Sequence, residues 1–258
     1  MNRFTGQTAV ITGGATGIGF ATARSFAIEG ANVVIAGRDK ERGAAAVSTI
    51  KAIGGEARFV RTDVTDDAQV EALARSAAGD DGQINVWFNN AGTEGTLGEL
   101  EEIDDTVAAE VIDINFKGVY SGMRHAARYM APGGTIINNA SFVGTAMPVP
   151  IAVAYGGTKA AVVSMTQAVA EGLADRNIGV FAVCPYIVDT PMVDRITGGE
   201  GLEARAEFAA GFAPSGQLTR PEEVADLVID LCDGANPAPS GEALLVDANS
   251  TVTKLKAG

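Results

Sequence analysis

Tyr155 and Lys159 are the two side chains of this sequence whose types and spacing most directly suggest chemistry. On a helix, a spacing of four places the phenol and the ammonium on one face, one turn apart. A phenol has a pKa near 10, so it acts as a base at neutral pH only if positive charge stabilises its phenolate. Lys159 can supply that charge, and the pair predicts proton transfer. Taken alone, however, the pair is better explained as two solvated side chains.

A glycine-rich turn near the amino terminus points to a ligand. Residues 12–19 read TGGATGIG, between an apolar run of strand length and a helical pattern. Glycines let the backbone turn tightly and approach a diphosphate, and a helix amino terminus stabilises the negative charge. The turn therefore predicts a dinucleotide site, although glycine also occurs in turns for purely steric reasons.

Two further motifs connect this turn with the tyrosine and the lysine. The sequence NNAG, at residues 89–92, follows one strand-length run, and Ser141 follows another, 14 residues before Tyr155. In order and spacing, the motifs TGxxxGxG, NNAG, the serine and YxxxK resemble the short-chain dehydrogenase/reductase family. The resemblance extends from residue 8 to about residue 247. It implies four catalytic residues, Asn115, Ser141, Tyr155 and Lys159.

The resemblance also assigns roles to these residues. Tyr155 is expected to exchange a proton with substrate, and the Ser141 hydroxyl to polarise a carbonyl. Asn115 matches the asparagine that anchors a water near the lysine and completes a proton path. The chain resembles the non-extended branch of the family, which lacks a separate substrate domain and usually forms a homotetramer.

A nicotinamide dinucleotide is the cofactor that the resemblance implies. NADP is favoured over NAD, because Gly37 stands where NAD-dependent members place a carboxylate, and the Arg38 guanidinium can bind a 2′-phosphate. NAD stays open as an alternative, since Asp39 is able to reach toward the ribose. The expected cofactor contacts are Gly13, Thr16, Gly17, Ile18, Gly19, Arg38, Asp63, Val64, Asn90, Ala91, Gly92, Tyr155, Lys159, Pro185, Ile187, Val188 and Thr190.

The candidate walls of the substrate pocket are mostly apolar. The expected pocket residues are Ser141, Phe142, Val143, Met147, Tyr186 and Met192, with Glu94, Val149, Ile151, Ile187, Val188, Phe208 and Phe212 as further candidate walls. An apolar or cyclic secondary alcohol or ketone is therefore the favoured substrate, and a 3-oxoacyl thioester is the alternative. A non-enzymatic alternative is an NADP-binding regulator without turnover. Tyr186 departs from the family, which usually has glycine there, and so leaves the substrate's size open.

Short apolar runs that alternate with amphipathic helical patterns must position these residues. Strands are predicted at residues 9–12, 31–36, 57–61, 84–89, 134–140, 179–185 and 243–247. Helices are predicted at residues 18–29, 40–53, 67–78, 104–130, 154–174 and 222–232. This alternation is typical of a single α/β domain, residues 1–258, with a Rossmann-like, doubly wound parallel sheet flanked by helices on both faces. Residues 189–218 interrupt it and are expected to form a substrate-binding lid.

Composition excludes several other classes of protein. A net charge of −13 disfavours nucleic acid and anionic membrane surfaces as partners. Without a signal peptide or a membrane span, a cytoplasmic protein that acts on a small molecule is expected. Cys184 and Cys232 are expected to be reduced core residues. No metal site is expected, because His125, predicted to lie on a surface-facing helix, is the only histidine.

Overall fold

The computed structural model describes residues 2–79 and 83–255, which form one sheet with helices on both faces. The strands are β1 Thr8–Thr12, β2 Asn32–Gly37, β3 Glu56–Arg61, β4 Ile84–Asn89, β5 Met130–Asn139, β6 Gly179–Pro185, β7 Ala243–Asp247 and β8 Thr251–Lys254. The helices are α1 Gly17–Ile28, α2 Lys40–Ala52, α3 Asp67–Ala78, α4 Asp105–Ile112, α5 Gly118–Tyr129, α6 Val153–Leu173, α7 Pro191–Ile196, α8 Leu202–Phe212 and α9 Pro221–Asp233.

The strand order of the sheet is β3-β2-β1-β4-β5-β6-β7-β8. All neighbouring pairs from β3 to β7 are parallel. The order reverses between β1 and β4, and ligands of doubly wound sheets bind in the crevice outside the carboxyl ends of the strands at this point. The predicted α/β fold is confirmed, and both the glycine-rich turn and the NNAG motif lie at this crevice.

The strands between the sheet edges, β2, β1, β4, β5, β6 and β7, are largely buried on both faces, which explains why they read as apolar runs. Successive side chains point to opposite faces of the sheet. On β1, Val10 packs into the layer formed by α3, α5 and α6, whereas Ile11 packs into the layer formed by α1, α2 and α9. Two apolar layers therefore fix the sheet, and the strand ends form a rigid base for the crevice.

Three elements differ from the sequence prediction. The helix predicted at residues 104–130 is divided into α4 and α5 by a π-helical turn, Asp113–Lys117, and ends at Tyr129 because β5 already begins at Met130. The sheet is also not wholly parallel, because β8 pairs antiparallel with β7. That short hairpin carries little apolar pattern, so periodicity gave no sign of it.

His125 was predicted to lie on a surface-facing helix, and that prediction is wrong. Its side chain is fully buried against α3, with Nε2 3.0 Å from an Asp67 carboxylate oxygen. The carboxylate also accepts a hydrogen bond from Ser121, so the imidazole is held in a polar cluster between helices. Of the two cysteines, Cys184 is buried and Cys232 is only partly buried, and both are free thiols.

The segment from residue 189 to residue 218 folds largely into two short helices, α7 and α8, beside the crevice. Arg205 on α8 binds the Asp189 carboxylate at 2.6 Å and so ties the segment to its own beginning. No helix within residues 2–79 and 83–255 is long and apolar enough to cross a bilayer.

Candidate active site

A cleft runs along the carboxyl ends of the parallel strands and divides into two adjoining cavities. One, of about 210 Å³, extends from the glycine-rich turn to Tyr155 and Lys159. The other, of about 400 Å³, extends from the same turn to Arg38 and Asp63 at the ends of β2 and β3. The two cavities share residues of the glycine-rich turn and the NNAG motif, so together they form one continuous cleft across the centre of the sheet.

The glycine-rich turn and the NNAG motif pack directly against each other. The buried Thr12 hydroxyl accepts hydrogen bonds from the backbone nitrogens of Asn90, at 3.0 Å, and Ala91, at 3.1 Å. Gly13 has a φ of +63°, and an added Cβ would lie 2.9 Å from the Ala91 Cα. A side chain at Gly13 would therefore both strain the turn and push the two motifs apart.

Most predicted cofactor contacts line one or both of these cavities. They are Gly13, Thr16, Gly17, Ile18, Arg38, Asp63, Val64, Asn90, Ala91, Gly92, Tyr155, Lys159, Pro185, Val188 and Thr190. Gly19 and Ile187 do not line them. Gly19 lies beneath the turn, where a Cβ would collide with the Gly13 carbonyl oxygen, and Ile187 lines a third cavity described below.

Tyr155 and Lys159 lie on the first turns of α6, one turn apart as the spacing predicts. The Lys159 Nζ lies 5.4 Å from the centre of the Tyr155 ring and donates a 2.7 Å hydrogen bond to the backbone oxygen of Asn139. Because Asn139 ends β5, this bond fixes the ammonium at the edge of the sheet. Ser141 follows two residues later and lines the same cavity as the phenol.

Burial dominates the electrostatics of this pair. Loss of solvent raises the pKa of Tyr155 to about 12, and a hydrogen bond with Ser141 opposes part of this rise. Loss of solvent also lowers the pKa of Lys159 to about 8. At neutral pH the phenol therefore holds its proton and the ammonium is mostly charged, an arrangement suited to donating a proton to substrate.

Asn115 lies behind the cleft rather than in its wall. The π-helical turn places its fully buried amide against Thr93, where Oδ1 accepts a hydrogen bond from the backbone nitrogen at 2.9 Å. Its Nδ2 donates to the Thr93 backbone oxygen at 2.8 Å. The amide thus fixes the loop that follows the NNAG motif, and π-helical turns are frequent at functional sites.

The third cavity, of about 270 Å³, adjoins the tyrosine on the side away from the glycine-rich turn. It is lined by Glu94, Leu97, Ser141, Phe142, Val143, Val149, Ile151, Ala152, Tyr155, Tyr186, Ile187, Met192, Val193, Ile196, Phe208 and Phe212. Of the predicted pocket residues and candidate walls, Met147 and Val188 are absent from this wall. Val188 lines the cofactor cleft instead, and the Met147 side chain is exposed where the loop after Ser141 turns back at Val143. The lining is mostly apolar, as predicted, and Glu94, Ser141, Tyr155 and Tyr186 are its polar members.

A family model and a solved structure both match almost the whole chain. A family model described as Enoyl-(Acyl carrier protein) reductase matches residues 13–249. A double-mutant short-chain dehydrogenase/reductase from Serratia marcescens has a solved structure that is 29% identical, with a TM-score of 0.85, over 96% of this chain and 99% of that chain. This chain belongs to the short-chain dehydrogenase/reductase family.

Curated relatives in this short-chain dehydrogenase/reductase family have different names. A cis-4-hydroxycyclohexanecarboxylate dehydrogenase from Sinomonas cyclohexanicum is 39% identical, covering 96% of this chain and 98% of its own. A 3-oxoacyl-[acyl-carrier-protein] reductase from Thermotoga maritima is 32% identical, covering 97% of this chain and all of its own. The family makes the protein an oxidoreductase and implies a nicotinamide cofactor, whereas the names leave the substrate open.

Sequence reasoning missed several residues of this short-chain dehydrogenase/reductase site, and two of them bear on its chemistry. The Asn139 backbone carbonyl binds Lys159, a contact that any residue type at this position could make, so the sequence carried no signal for it. Arg195 lines both halves of the cleft, but no pattern marked it, because α7 lies in a segment without clear periodicity.

The loop that carries Ser141 contacts the helix that carries Tyr155 through two glycines. Gly144 has a φ of +76°, and an added Cβ would overlap with backbone atoms of Gly156. The close approach of the two backbones therefore sets the distance between the serine and the tyrosine.

We expect Gly144→Ala to lower kcat by about 100-fold, because a displacement of catalytic groups by about 1 Å can cost that much. Binding of NADPH, measured by calorimetry, should change little, since the glycine-rich turn is untouched. The matched control is Gly157→Ala, where a Cβ meets nothing within 4 Å. Unchanged kcat in Gly144→Ala would show that this contact does not align the two hydroxyls.

Proposed function

We propose that this protein interconverts an apolar or cyclic secondary alcohol and the corresponding ketone, with hydride transfer to or from a nicotinamide cofactor. One observation carries the proposal: the polar cleft and the apolar cavity meet at Ser141 and Tyr155, which line both. A substrate oxygen at this junction has two hydroxyl groups within reach, while its carbon faces the cleft. That geometry fits polarisation of a carbonyl and transfer of one proton.

The residues of the cleft fit a dinucleotide. The amino terminus of α1 faces the cleft without an acidic residue in its first turn, so its N–H groups are able to bind an anion. The Asn139 Oδ1 atom is buried with no partner among the described residues, and a donor of a bound ligand would satisfy it. When bound, the nicotinamide supplies or accepts the hydride.

The protein's own side chains handle the proton. In the direction of reduction, the Tyr155 hydroxyl donates its proton to the carbonyl oxygen, and the Ser141 hydroxyl donates a hydrogen bond to the same oxygen. The Lys159 ammonium stabilises the phenolate that remains. Asn115 holds the loop beside the lysine and, by the family resemblance, the water through which the proton is replaced.

NADP is the cofactor that we propose in preference to NAD. Arg38 and Arg42 both line the adenosine half of the cleft. Asp39, the residue that would favour NAD, is engaged by its own helix: Oδ1 accepts from the backbone nitrogens of Glu41 and Arg42, both at 3.0 Å. Its other oxygen lies 3.3 Å from the Arg42 Nε. This capping supports a cationic site for a 2′-phosphate.

We therefore expect Arg38→Ala to weaken NADPH binding about 10- to 100-fold, which corresponds to the ~1.5–3 kcal/mol of a charge-assisted contact. NADH binding should change less than about threefold. Lys40→Ala, which removes an adjacent cation that does not line the cleft, is the control. If Arg38→Ala weakens both cofactors equally in calorimetric titrations, Arg38 does not bind the 2′-phosphate.

The substrate class rests on the apolar cavity and on one relative. A cavity of about 270 Å³ with one buried carboxylate, Glu94, suits a compact ring better than a long polar chain. The 39% identical relative is named for a cyclohexane alcohol. The second candidate, a 3-oxoacyl thioester, is favoured by the name of the Thermotoga maritima relative. Turnover of cyclohexanone derivatives against 3-oxoacyl thioesters, at equal concentrations, distinguishes the two.

We also propose that the protein is a homotetramer, as the family resemblance implies. Exposed apolar side chains on consecutive helices support an interface: Ile112 on α4, Tyr120 on α5 and Val153 on α6. Sedimentation equilibrium measures the state directly, and a monomer would contradict this proposal without affecting the catalytic one.

A further inference from the structure

Arg195 occupies the centre of the cofactor cleft. The residues that line both of its halves are Gly13, Thr16, Ala91, Gly92 and Arg195. The first four belong to the glycine-rich turn and the NNAG motif, at the base of the cleft. Arg195 comes from α7, in the segment proposed as a lid, and so reaches the cleft from a different part of the fold than the glycine-rich turn.

A buried carboxylate holds this guanidinium in place. The Arg195 Nε and Nη2 atoms donate to the two carboxylate oxygens of Glu94 at 2.8 and 2.9 Å. Glu94 is only 8% exposed, whereas the arginine side chain is 58% exposed and lines both halves of the cleft. The Nη1 atom has no acceptor within residues 2–79 and 83–255. A guanidinium that binds a carboxylate along one edge keeps free N–H donors for a second anion.

The distribution of charge along the cleft shows which anion fits. Among the described residues that line the two halves, Arg38 and Arg42 lie at the adenosine end and Lys159 at the nicotinamide end. Arg195 is the one cation shared by both halves. A dinucleotide carries its diphosphate between its two nucleosides, and in a chain of net charge −13 a cation at that point offsets unfavourable charge.

We propose that Arg195 is a cofactor-binding residue that contacts the diphosphate from the lid side of the cleft. The inference rests on the proposed nicotinamide cofactor and adds a residue to its site. Because Glu94 also lines the apolar cavity, the same ion pair joins the cofactor cleft to the wall of the substrate cavity. Binding of the cofactor therefore fixes α7 against the pocket that receives the substrate.

The test is a calorimetric titration of NADPH into the full chain and its variants. Arg195→Gln is expected to raise the Kd about tenfold and to make it less sensitive to ionic strength, because one screened charge contact is lost. Arg195→Lys should recover part of the affinity. Arg205→Gln is the matched control, since it removes a guanidinium of the same segment that pairs with Asp189 and does not line the cleft.

A double variant distinguishes two reasons for weaker binding in Arg195→Gln: the loss of a direct contact with the diphosphate, and repulsion of the cofactor by the unpaired Glu94 carboxylate. If Arg195 contacts the diphosphate, Glu94→Gln combined with Arg195→Gln stays about as weak as Arg195→Gln. Recovery of wild-type affinity in the double variant, an equal loss in Arg205→Gln, or a change below twofold in Arg195→Gln overturns the proposal. Failure of the wild-type chain to bind NADPH or NADH at all would instead overturn the proposed function.

Discussion

Replacing Tyr155 with phenylalanine is expected to lower kcat by about 10²- to 10⁴-fold, the usual contribution of a positioned proton donor. The change removes one oxygen and keeps the ring, so packing against Ser141 and the apolar cavity is preserved. Binding of NADPH should stay within about threefold of the wild type, because most contacts of the cleft lie on the glycine-rich turn and the strand ends. Steady-state kinetics and calorimetry measure the two effects separately.

The control for this substitution is Tyr120→Phe, which removes the same atom from a residue of α5 that lines neither the cofactor cleft nor the apolar cavity. Its kcat should equal that of the wild type. If Tyr155→Phe retained more than about a tenth of the wild-type kcat while chemistry limits the rate, another group would have to supply the proton.

Replacing Lys159 with methionine is expected to impair both cofactor binding and turnover. Methionine keeps much of the apolar stem and deletes the ammonium, which Asn139 holds beside the phenol. The Kd for the cofactor should rise about tenfold or more, as for loss of a charge-assisted hydrogen bond. Residual alcohol oxidation should also change its dependence on pH.

The direction of that pH change follows from the charge. Oxidation needs the phenolate, so its rate rises with pH as Tyr155 loses its proton. In the proposed mechanism the ammonium stabilises the phenolate and so lowers the pKa of the phenol, and its removal should move the rising limb of kcat to more alkaline pH. Lys117→Met, at an exposed lysine paired with Asp113, is the control. If the rising limb of kcat against pH does not move in Lys159→Met, Lys159 does not influence the pKa of the Tyr155 phenol.

Much of this fold follows from local patterns. Seven strands were predictable because each is an apolar run between turn residues, and the glycine-rich turn and the NNAG motif follow two neighbouring strands, β1 and β4. In a parallel sheet such ends meet at one edge, so the dinucleotide cleft was predictable as well. The distance between Tyr155 and Lys159 followed from helical spacing alone.

Other features depend on contacts between distant segments and have no local signal. The burial of His125 depends on Asp67, 58 residues away, and the place of Arg195 depends on Glu94, 101 residues away. Met147 was expected in the pocket, but the turn in which the Gly144 backbone nitrogen binds the Met147 backbone oxygen leaves its side chain exposed. Burial raises the pKa of Tyr155 more than its hydrogen bond with Ser141 lowers it, and burial too is a tertiary property.

The central claim is that Tyr155 transfers a proton while a nicotinamide cofactor exchanges a hydride with an alcohol or a ketone. Its most direct test follows the absorbance of the reduced nicotinamide as the purified protein acts on a panel of cyclic and apolar ketones and alcohols, with NADP and NAD in parallel. We predict Tyr155-dependent turnover of at least one cyclic substrate, faster with NADP. Tight cofactor binding without turnover of any member of the panel, or turnover that Tyr155→Phe leaves intact, would contradict the account.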